Sequence, residues 1–141
     1  MSYFTNKKIL ITGAAGFIGA NLVKKLIETS ENITIVGLDS VNDYYDVSLK
    51  EYRLIQIEKA LANNKSIEWS FVRGNIADKA LVNSMFEQYH FDIVVNLAAQ
   101  AGVRYSIEHP DAYIESNIIG FYNIHMFFFL KLINYRYCIL W

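Results

Sequence analysis

The stretch TGAAGFIG, residues 12–19, decides the fold. It joins a β-branched run, KILIT at residues 8–12, to a stretch from Gly16 to Thr29 whose apolar spacing predicts a helix. A turn that leads from a strand straight into a helix needs glycine where the backbone is closely approached. The glycines of this turn are Gly13, Gly16 and Gly19. The helix start then offers unpaired N–H groups and a positive dipole end, which predicts a phosphate-binding turn of the dinucleotide type.

The rest of the chain alternates short apolar strands with longer amphipathic helices. Further strands are predicted at Ile33–Asp39, Ile67–Arg73 and Asp92–Leu97, and further helices at Val47–Asn63, Asp78–Gln88 and from Pro110 onward. On the core side of the first two helices we place Ile18, Leu22, Val23, Leu26, Leu54, Ile57 and Leu61, and on the exposed side of the second Lys50, Glu51, Glu58 and Lys59. This alternation predicts an α/β fold: one domain with a Rossmann-type, doubly wound parallel sheet of about four to five strands.

An acidic residue completes the dinucleotide pattern. Asp39 ends the second predicted strand, twenty positions after Gly19, where a carboxylate can accept hydrogen bonds from the hydroxyls of an adenosine ribose. Its charge would repel a 2′-phosphate and no arginine directly follows it, so NAD is favoured over NADP as the cofactor. The alternative is a plain glycine turn in which Asp39 only caps a loop.

Composition limits the remaining possibilities. The 141 residues carry 13 basic and 14 acidic side chains, and this balance gives no general attraction to nucleic acid or to an anionic membrane. The single cysteine, Cys138, cannot form an internal disulfide, and the N-terminus lacks the apolar run of a signal peptide. His90, His109 and His125 lack the spacing of metal ligands and are expected at the surface or at helix ends. We therefore expect a cytoplasmic protein without a metal site.

Three segments together resemble one family. The spacing GxxGxxG resembles the short-chain dehydrogenase/reductase superfamily, and TGAAGFIG is similar to its extended, nucleotide-sugar branch. DSVNDYYDVSLKEYRL, residues 39–54, and NLAAQAGVRYSIEHPDAYIESNIIGFYNI, residues 96–124, resemble the UDP-glucuronate 4-epimerases, and the run AAQAGVRYS is the most specific part. The resemblance covers about residues 7–124. It implies an NAD-dependent interconversion of UDP-glucuronate and UDP-galacturonate, with a UDP-sugar as the partner.

Position and resemblance together give the candidate cofactor contacts. The small residues that follow the fourth strand leave room for a cofactor opposite the glycine turn, or else simply pack a loop. Asn75 stands near the expected adenine, where the family usually has aspartate, and its amide can both accept and donate. Asn117 matches an asparagine that orders the active site in the superfamily, or is a solvent-facing helical residue. The full set is Gly13, Gly16, Phe17, Ile18, Gly19, Asp39, Asn42, Asn75, Ile76, Leu97, Ala98, Ala99 and Asn117.

The loop predicted after the fourth strand holds the candidate substrate contacts. Gln100 and Arg104, with Tyr105 beside them, lie where the resemblance implies that a sugar nucleotide enters. The planar guanidinium of Arg104 suits a phosphate or the hexuronate carboxylate. An equal alternative is a surface ion pair between Arg104 and Glu108.

No catalytic residue is assigned. The resemblance implies a serine and a Tyr-x-x-x-Lys pair beyond a fifth strand, with the tyrosine taking the proton of the C4 hydroxyl while hydride passes to NAD. The one Tyr-x-x-x-Lys match, Tyr3 to Lys7, precedes the first strand and so belongs to the sheet edge opposite the ligand. We therefore expect this chain by itself to be inactive.

The family pattern is lost near His125. Residues 125–141 form a divergent tail, which suggests a frameshifted or truncated reading of a longer coding sequence. A membrane anchor is disfavoured because the tail contains charged residues, whereas a span needs about 20 apolar ones. If the tail folds, Tyr137–Trp141 is expected beside the fourth strand, where it covers an apolar edge.

Two classes of function remain. The chain is either the NAD-binding portion of a UDP-glucuronate 4-epimerase-like enzyme or a non-catalytic Rossmann module that pairs with itself or with a full-length relative. Within the enzyme class, a dTDP-glucose 4,6-dehydratase is the alternative, and the run AAQAGVRYS favours the epimerase.

Overall fold

The computed structural model describes the backbone of residues 4–130 and 136–139 and the side chains of residues 4–126. Within this part of the chain, parallel strands form a sheet in the order β3-β2-β1-β4-β5. The strands are β1 (Lys8–Thr12), β2 (Thr34–Asp39), β3 (Glu68–Arg73), β4 (Ile93–Asn96) and β5 (Arg136–Ile139). The order reverses between β1 and β4, so the predicted Rossmann-type, doubly wound sheet is confirmed.

Helices cover both faces of this sheet. They are α1 (Phe17–Thr29), α2 (Val47–Leu61), α3 (Lys79–Tyr89), α4 (Val103–Glu108), α5 (Pro110–Tyr113) and α6 (Phe121–Leu130), with a π-helix (Ile114–Gly120) between α5 and α6. Helices α1 and α2 pack on one face, and α3 and α6 pack on the other. Asp78 caps α3, because its Oδ1 accepts from the amide of Leu81 at 3.0 Å. Helix α5 begins at Pro110, also as predicted, whereas α4 lies where a loop was expected.

The core follows from the alternation of side chains along the strands. Ile9 and Ile11 of β1 point to the face that α1 covers, where they pack with Val23. Leu10 points to the opposite face and packs with Met85 and Phe86 of α3. Full burial of an aliphatic side chain of this size stabilises the fold by about 1.5–3 kcal/mol. The buried side chains on both faces therefore bind the helices to the sheet.

Two helical residues differ from the prediction in their exposure to solvent. Ile18 was expected in the core but is 62% exposed, because the buried stripe of α1 runs through Ala20, Val23 and Ile27 and helical geometry puts Ile18 on the opposite side. Lys50 was expected in solvent but is only 5% exposed. It stands four and seven residues before Leu54 and Ile57, on the same stripe of α2, and helical geometry turns it inward with them.

The tail supplies the strand that was predicted for it. Arg136–Ile139 pairs in parallel with Ile93–Asn96, so β5 covers the edge of β4. The last two residues of the predicted strand, Leu140 and Trp141, lie outside the described residues. Among the helices that the structure describes, none has the length and apolar character that a membrane span requires.

Candidate cofactor site

The glycine turn lies between β1 and α1, as the sequence predicts. Gly13 has a φ of +68°, a conformation that residues with a Cβ rarely adopt. A Cβ on Gly13 would also lie 2.9 Å from the carbonyl carbon of Leu97, and a Cβ on Gly19 would lie 2.9 Å from that of Gly13. Glycine is needed at both positions because the backbones of three segments meet here.

The first turn of α1 offers backbone N–H groups rather than side chains. Gly16 is the N-cap, and no side chain caps the helix. The first amides of an α-helix have no intrahelical partners, and the helix dipole is positive at that end. Phe17 and Ile18 are 70% and 62% exposed and do not line the cavity, so only their backbone amides belong to this helix start. An anionic group is the ligand that such a helix end suits.

Asp39 connects the glycine turn to the loop that follows β2. Its Oδ2 accepts a hydrogen bond from the amide of Ala15 at 3.0 Å, and its Oδ1 accepts from the amide of Val41 at 2.8 Å. The residue is 8% exposed. A carboxylate has about four acceptor positions, so each oxygen can still receive a hydrogen bond from a bound hydroxyl.

Thr12 draws the end of β4 towards the glycine turn. Its hydroxyl donates to the Oδ1 of Asn96 and accepts from the amides of Leu97 at 3.1 Å and Ala98 at 3.0 Å. Leu97 and Ala98 therefore form the wall opposite α1, where the sequence analysis places them. Their position follows from the reversal of strand order, which opens a crevice between β1 and β4.

A cavity of about 140 Å³ lies at the carboxyl ends of the strands. Most of the predicted site residues line it. These are Gly13, Gly16, Asp39, Asn42, Asn75, Ile76, Leu97, Ala98, Ala99 and Gln100. The predicted residues that do not line it are Phe17, Ile18, Gly19, Arg104 and Asn117.

Asn75 closes one end of the cavity. Its Oδ1 accepts from the amide of Ala77 at 2.9 Å, and its Nδ2 donates to the Oε1 of Glu115 at 2.8 Å. The pair joins the end of β3 to the π-helix. The amide suits this place because an aspartate at position 75 would put two carboxylates side by side.

Asn117 acts on the loop after β4 and not on the cavity itself. Its Oδ1 accepts from the backbone amide of Gln100 at 2.8 Å, and its Nδ2 donates to the carbonyl oxygen of Gln100 at 3.0 Å. Gln100 is 8% exposed and lines the cavity. The side chain of Asn117 thus holds the backbone of Gln100 instead of facing solvent alone.

Arg104 and Tyr105 belong to α4 rather than to a loop. The side chain of Arg104 is 95% exposed, and its Nε lies 4.0 Å from the Oε1 of Glu108, so the structure shows the surface pair. The ring of Tyr105 meets that of Tyr44 edge-on, with centroids 4.8 Å apart. This contact joins the loop after β2 to α4.

Several residues of the cavity are not predicted from the sequence. Besides Lys50, the lining residues outside the predicted set are Leu38, Ser40, Tyr44, Tyr45, Gly74 and Ser116. Burial lowers the pKa of Lys50, an effect that the nearby Asp39 carboxylate opposes. The helical spacing of Lys50 with Leu54 and Ile57 was the signal that could have identified it.

Lys7 and the three histidines do not line the cavity. Lys7 is 3.5 Å from the Oδ1 of Asp92, at the amino end of β1, while Tyr3 lies outside the described residues. His90 and His109 follow the last residues of α3 and α4, as predicted. His125 instead lies within α6, where burial lowers its pKa.

The fold and the crevice match a known family. A family model described as GDP-mannose 4,6 dehydratase matches residues 10–131. This match spans most of the chain, and the chain belongs to that family. The predicted kinship with nucleotide-sugar epimerases and dehydratases is thereby confirmed.

The curated relatives of the chain include Protein CapI and a UDP-glucuronate 4-epimerase. The chain is 50% identical over 117 residues to Protein CapI of Staphylococcus aureus, covering 83% of this chain and 32% of the relative. It is 43% identical over 116 residues to UDP-glucuronate 4-epimerase 3 of Arabidopsis thaliana, covering 82% of this chain and 25% of the relative. The chain thus spans about a quarter to a third of the length of these curated relatives.

Solved structures of epimerases share the fold. The UDP-Glc/GlcNAc 4-epimerase of Campylobacter jejuni aligns with a TM-score of 0.73 at 26% identity, over 94% of this chain and 36% of that one. The UDP-glucose-4-epimerase of Stenotrophomonas maltophila, solved with bound NAD and formylated UDP-arabinopyranose, aligns with a TM-score of 0.65 at 25% identity. That alignment covers 85% of this chain and 32% of the neighbour.

Proposed function

We propose that this chain binds NAD in the crevice beside the glycine turn, as the cofactor-binding portion of a nucleotide-sugar epimerase that acts on UDP-glucuronate. The observation that carries the proposal is the contact between Asp39 and the turn: a carboxylate at the tip of β2 lies 3.0 Å from the amide of Ala15. This contact puts a ribose acceptor next to a helix start that suits a pyrophosphate.

Different residues of the crevice would bind different parts of the cofactor. The amides at the start of α1 would receive the pyrophosphate, and Asp39 the hydroxyls of the adenosine ribose. Asn75 and Ile76 would border the adenine, and the wall from Leu97 to Ala99 would leave room for the rest of the cofactor. When bound, NAD supplies the acceptor for the hydride of the sugar.

UDP-glucuronate is the substrate that the sequence favours. The support is the run AAQAGVRYS and the 43% identity to a UDP-glucuronate 4-epimerase of Arabidopsis thaliana. Of the two candidate substrate contacts, Gln100 lines the cavity and Arg104 does not. Arg104 would have to leave Glu108 to reach a carboxylate or phosphate, which is a small cost for an exposed pair.

We further propose that residues 1–124 form the cofactor-binding part and that residues 125–141 are a divergent tail whose strand completes the sheet edge. The resemblance implies a serine and a Tyr-x-x-x-Lys pair beyond the fifth strand, and no residue past Ile124 in the 141 residues matches them. We therefore expect the purified chain alone to form no UDP-galacturonate from UDP-glucuronate and NAD. A signal above the background of a protein-free control would contradict this expectation. The lone Cys138 fits a reducing compartment, and a cytoplasmic location remains the expectation.

The cofactor proposal is tested by titrating NADH into the purified chain and following its fluorescence. We expect weak but saturable binding, and we expect Asp39→Asn to weaken it by roughly 10-fold or more, since a charged acceptor is lost from the ribose. Asp43→Asn removes an exposed carboxylate from the same loop and is the matched control, with little change expected. Failure of the wild-type chain to saturate even at millimolar NADH would overturn the proposal.

A further inference from the structure

A second cavity, of about 870 Å³, lies at the amino edge of the sheet, away from the proposed cofactor site. Residues 27–32, at the end of α1, form one wall, and Ala60, Asn63, Asn64 and Ser66, at the end of α2 and beyond it, form the other. Pockets that bind small molecules measure about 300–1,000 Å³, so this cavity is large enough for a ligand. The proposed function leaves it unused.

Asn64 fixes the two walls relative to each other. Its Nδ2 donates to the carbonyl oxygens of Ile27 at 2.7 Å and Ser30 at 3.1 Å. Its Oδ1 accepts from the amide of Ser66 at 3.1 Å and from the hydroxyl of the same residue at 2.7 Å. Because these bonds tie the end of α1 to the segment after α2, the cavity is formed before any ligand binds.

The cavity offers hydrogen-bond acceptors and negative charge. Helices α1 and α2 both end here, and the last carbonyl groups of a helix lack intrahelical partners and form the negative end of its dipole. Glu28 and Glu31 add two carboxylates, and no lysine, arginine or histidine is among the lining residues that the structure describes. Lys25 lies 3.6 Å from Glu28, but this pair is exposed and largely screened by solvent. A positively charged ligand is therefore favoured.

Ser30 gives independent evidence of a ligand. The residue lines the cavity although only 3% of its surface is exposed. Its backbone N–H donates to the carbonyl oxygen of Leu26 at 2.9 Å and its own carbonyl oxygen accepts from Asn64, yet its hydroxyl has no hydrogen-bond partner within the described residues. A buried hydroxyl without a partner is costly, and a ligand in the cavity would supply one.

We propose that this cavity, which we call the amino-edge site, binds a small organic cation with primary ammonium groups, of the aliphatic diamine class. A primary ammonium group has three donor hydrogens and no acceptor, so it complements carboxylates, carbonyl oxygens and the Ser30 hydroxyl. A diamine fits better than a monoamine because negative charge lies on both walls, from Glu28 and Glu31 on one and from the end of α2 on the other. The amino-edge site does not depend on the proposed function.

The test compares 1,4-diaminobutane with 1,4-butanediol, a probe of the same length without charge, by nuclear magnetic resonance on the ¹⁵N-labelled 141-residue chain at low ionic strength. We expect 1,4-diaminobutane to saturate with a dissociation constant of about 1–10 mM and the diol to bind at least about 10-fold more weakly. The largest amide shifts should fall in residues 28–32 and 63–66. NADH binding should be the same with and without the diamine.

Three variants separate a built site from general attraction to acidic groups. Glu28→Gln and Glu31→Gln should each weaken diamine binding by about 3-fold or more. Glu58→Gln removes an exposed carboxylate from α2 that does not line the cavity, and it should change the affinity by less than about 1.5-fold.

The role of the Ser30 hydroxyl is tested with a second cation. Ser30→Ala should weaken binding of 1,4-diaminobutane by about 3-fold or more, because one acceptor is lost. Tetramethylammonium has no N–H donor, so its weaker binding should be the same in Ser30→Ala and in the wild type. Circular dichroism checks that each variant is folded.

Several results would overturn the inference. One is a wild-type chain that shows no saturable shifts with the diamine, and another is a diol that binds as well as the diamine. An equal effect of Glu58→Gln and Glu31→Gln, or shifts spread over the acidic surface, would reduce the binding to unspecific charge attraction. Each of these outcomes leaves NADH binding at the opposite edge of the sheet intact.

Discussion

Replacing Gly19 with alanine tests how closely α1 must approach the glycine turn. The added Cβ would lie 2.9 Å from the carbonyl carbon of Gly13 and 3.0 Å from the Cα of Ala14, and closer still to the Gly13 carbonyl oxygen. All three are backbone atoms, so no side chain can rotate away and the turn itself must shift. Overpacking of this kind costs about 1–3 kcal/mol, while the better helix propensity of alanine returns at most about 1 kcal/mol.

We therefore expect Gly19→Ala to lower the free energy of unfolding by about 1–2 kcal/mol. We expect NADH affinity to fall by about 10-fold or more, because the displaced atoms are those proposed to face the pyrophosphate. Urea denaturation followed by circular dichroism gives the first quantity, and NADH fluorescence titration gives the second.

A matched control is Gly74→Ala. There the added Cβ would meet Cδ2 of Leu81, the flexible end of a side chain, so the cost in unfolding free energy should stay below about 1 kcal/mol. If Gly19→Ala unfolds at the wild-type urea concentration and binds NADH as the wild type does, the account of the turn is refuted.

Two other substitutions test contacts further from the turn. Asn117→Ala removes both hydrogen bonds to the backbone of Gln100, and the two part-buried backbone groups left without these partners should make this cost about 1–3 kcal/mol of unfolding free energy in urea; an unchanged value would show that the contact is dispensable. His125 tests pH dependence: burial lowers its pKa below the ordinary 6.5, so the unfolded chain takes up the proton more readily than the folded one. Its contribution to stability is present above pH 6.5 and is lost as the pH falls from there through the lowered pKa, so His125→Gln should lose less stability than the wild type between pH 7 and pH 5 in thermal denaturation. Equal losses in the two proteins would rule out this role for the histidine.

The sheet and its glycine turn could be predicted from the sequence because their signals are local. The apolar runs of β1, β2 and β4 and the spacing of Gly13, Gly16 and Gly19 each fall within a few residues of one another. The reversal of strand order then follows from the rule for such folds, and it places Asp39 and Ala98 at the same edge. The prediction for Ile18 is wrong because the buried stripe of α1 runs through Ala20, Val23 and Ile27, and Ile18 lies on the opposite side of the helix.

The rest of the site depends on contacts between distant segments. The pairing of Asn75 with Glu115 joins residues 40 positions apart, and no short sequence pattern predicts it. Helix α4 has no side-chain cap and only six residues, so its local signal is weak. Lys50 differs for another reason: a charged side chain predicts exposure, whereas its helical spacing with Leu54 indicates the buried stripe.

The central claim concerns where the pyrophosphate lies, and nuclear magnetic resonance tests it most directly. In an ¹⁵N-labelled sample titrated with NAD, we expect the largest amide shifts at Gly16, Phe17 and Ile18 and in the loop after Asp39, with no comparable shifts at the opposite edge of the sheet around Asn32 and Ser66. Shifts centred on that opposite edge, or none at the start of α1, would contradict the account.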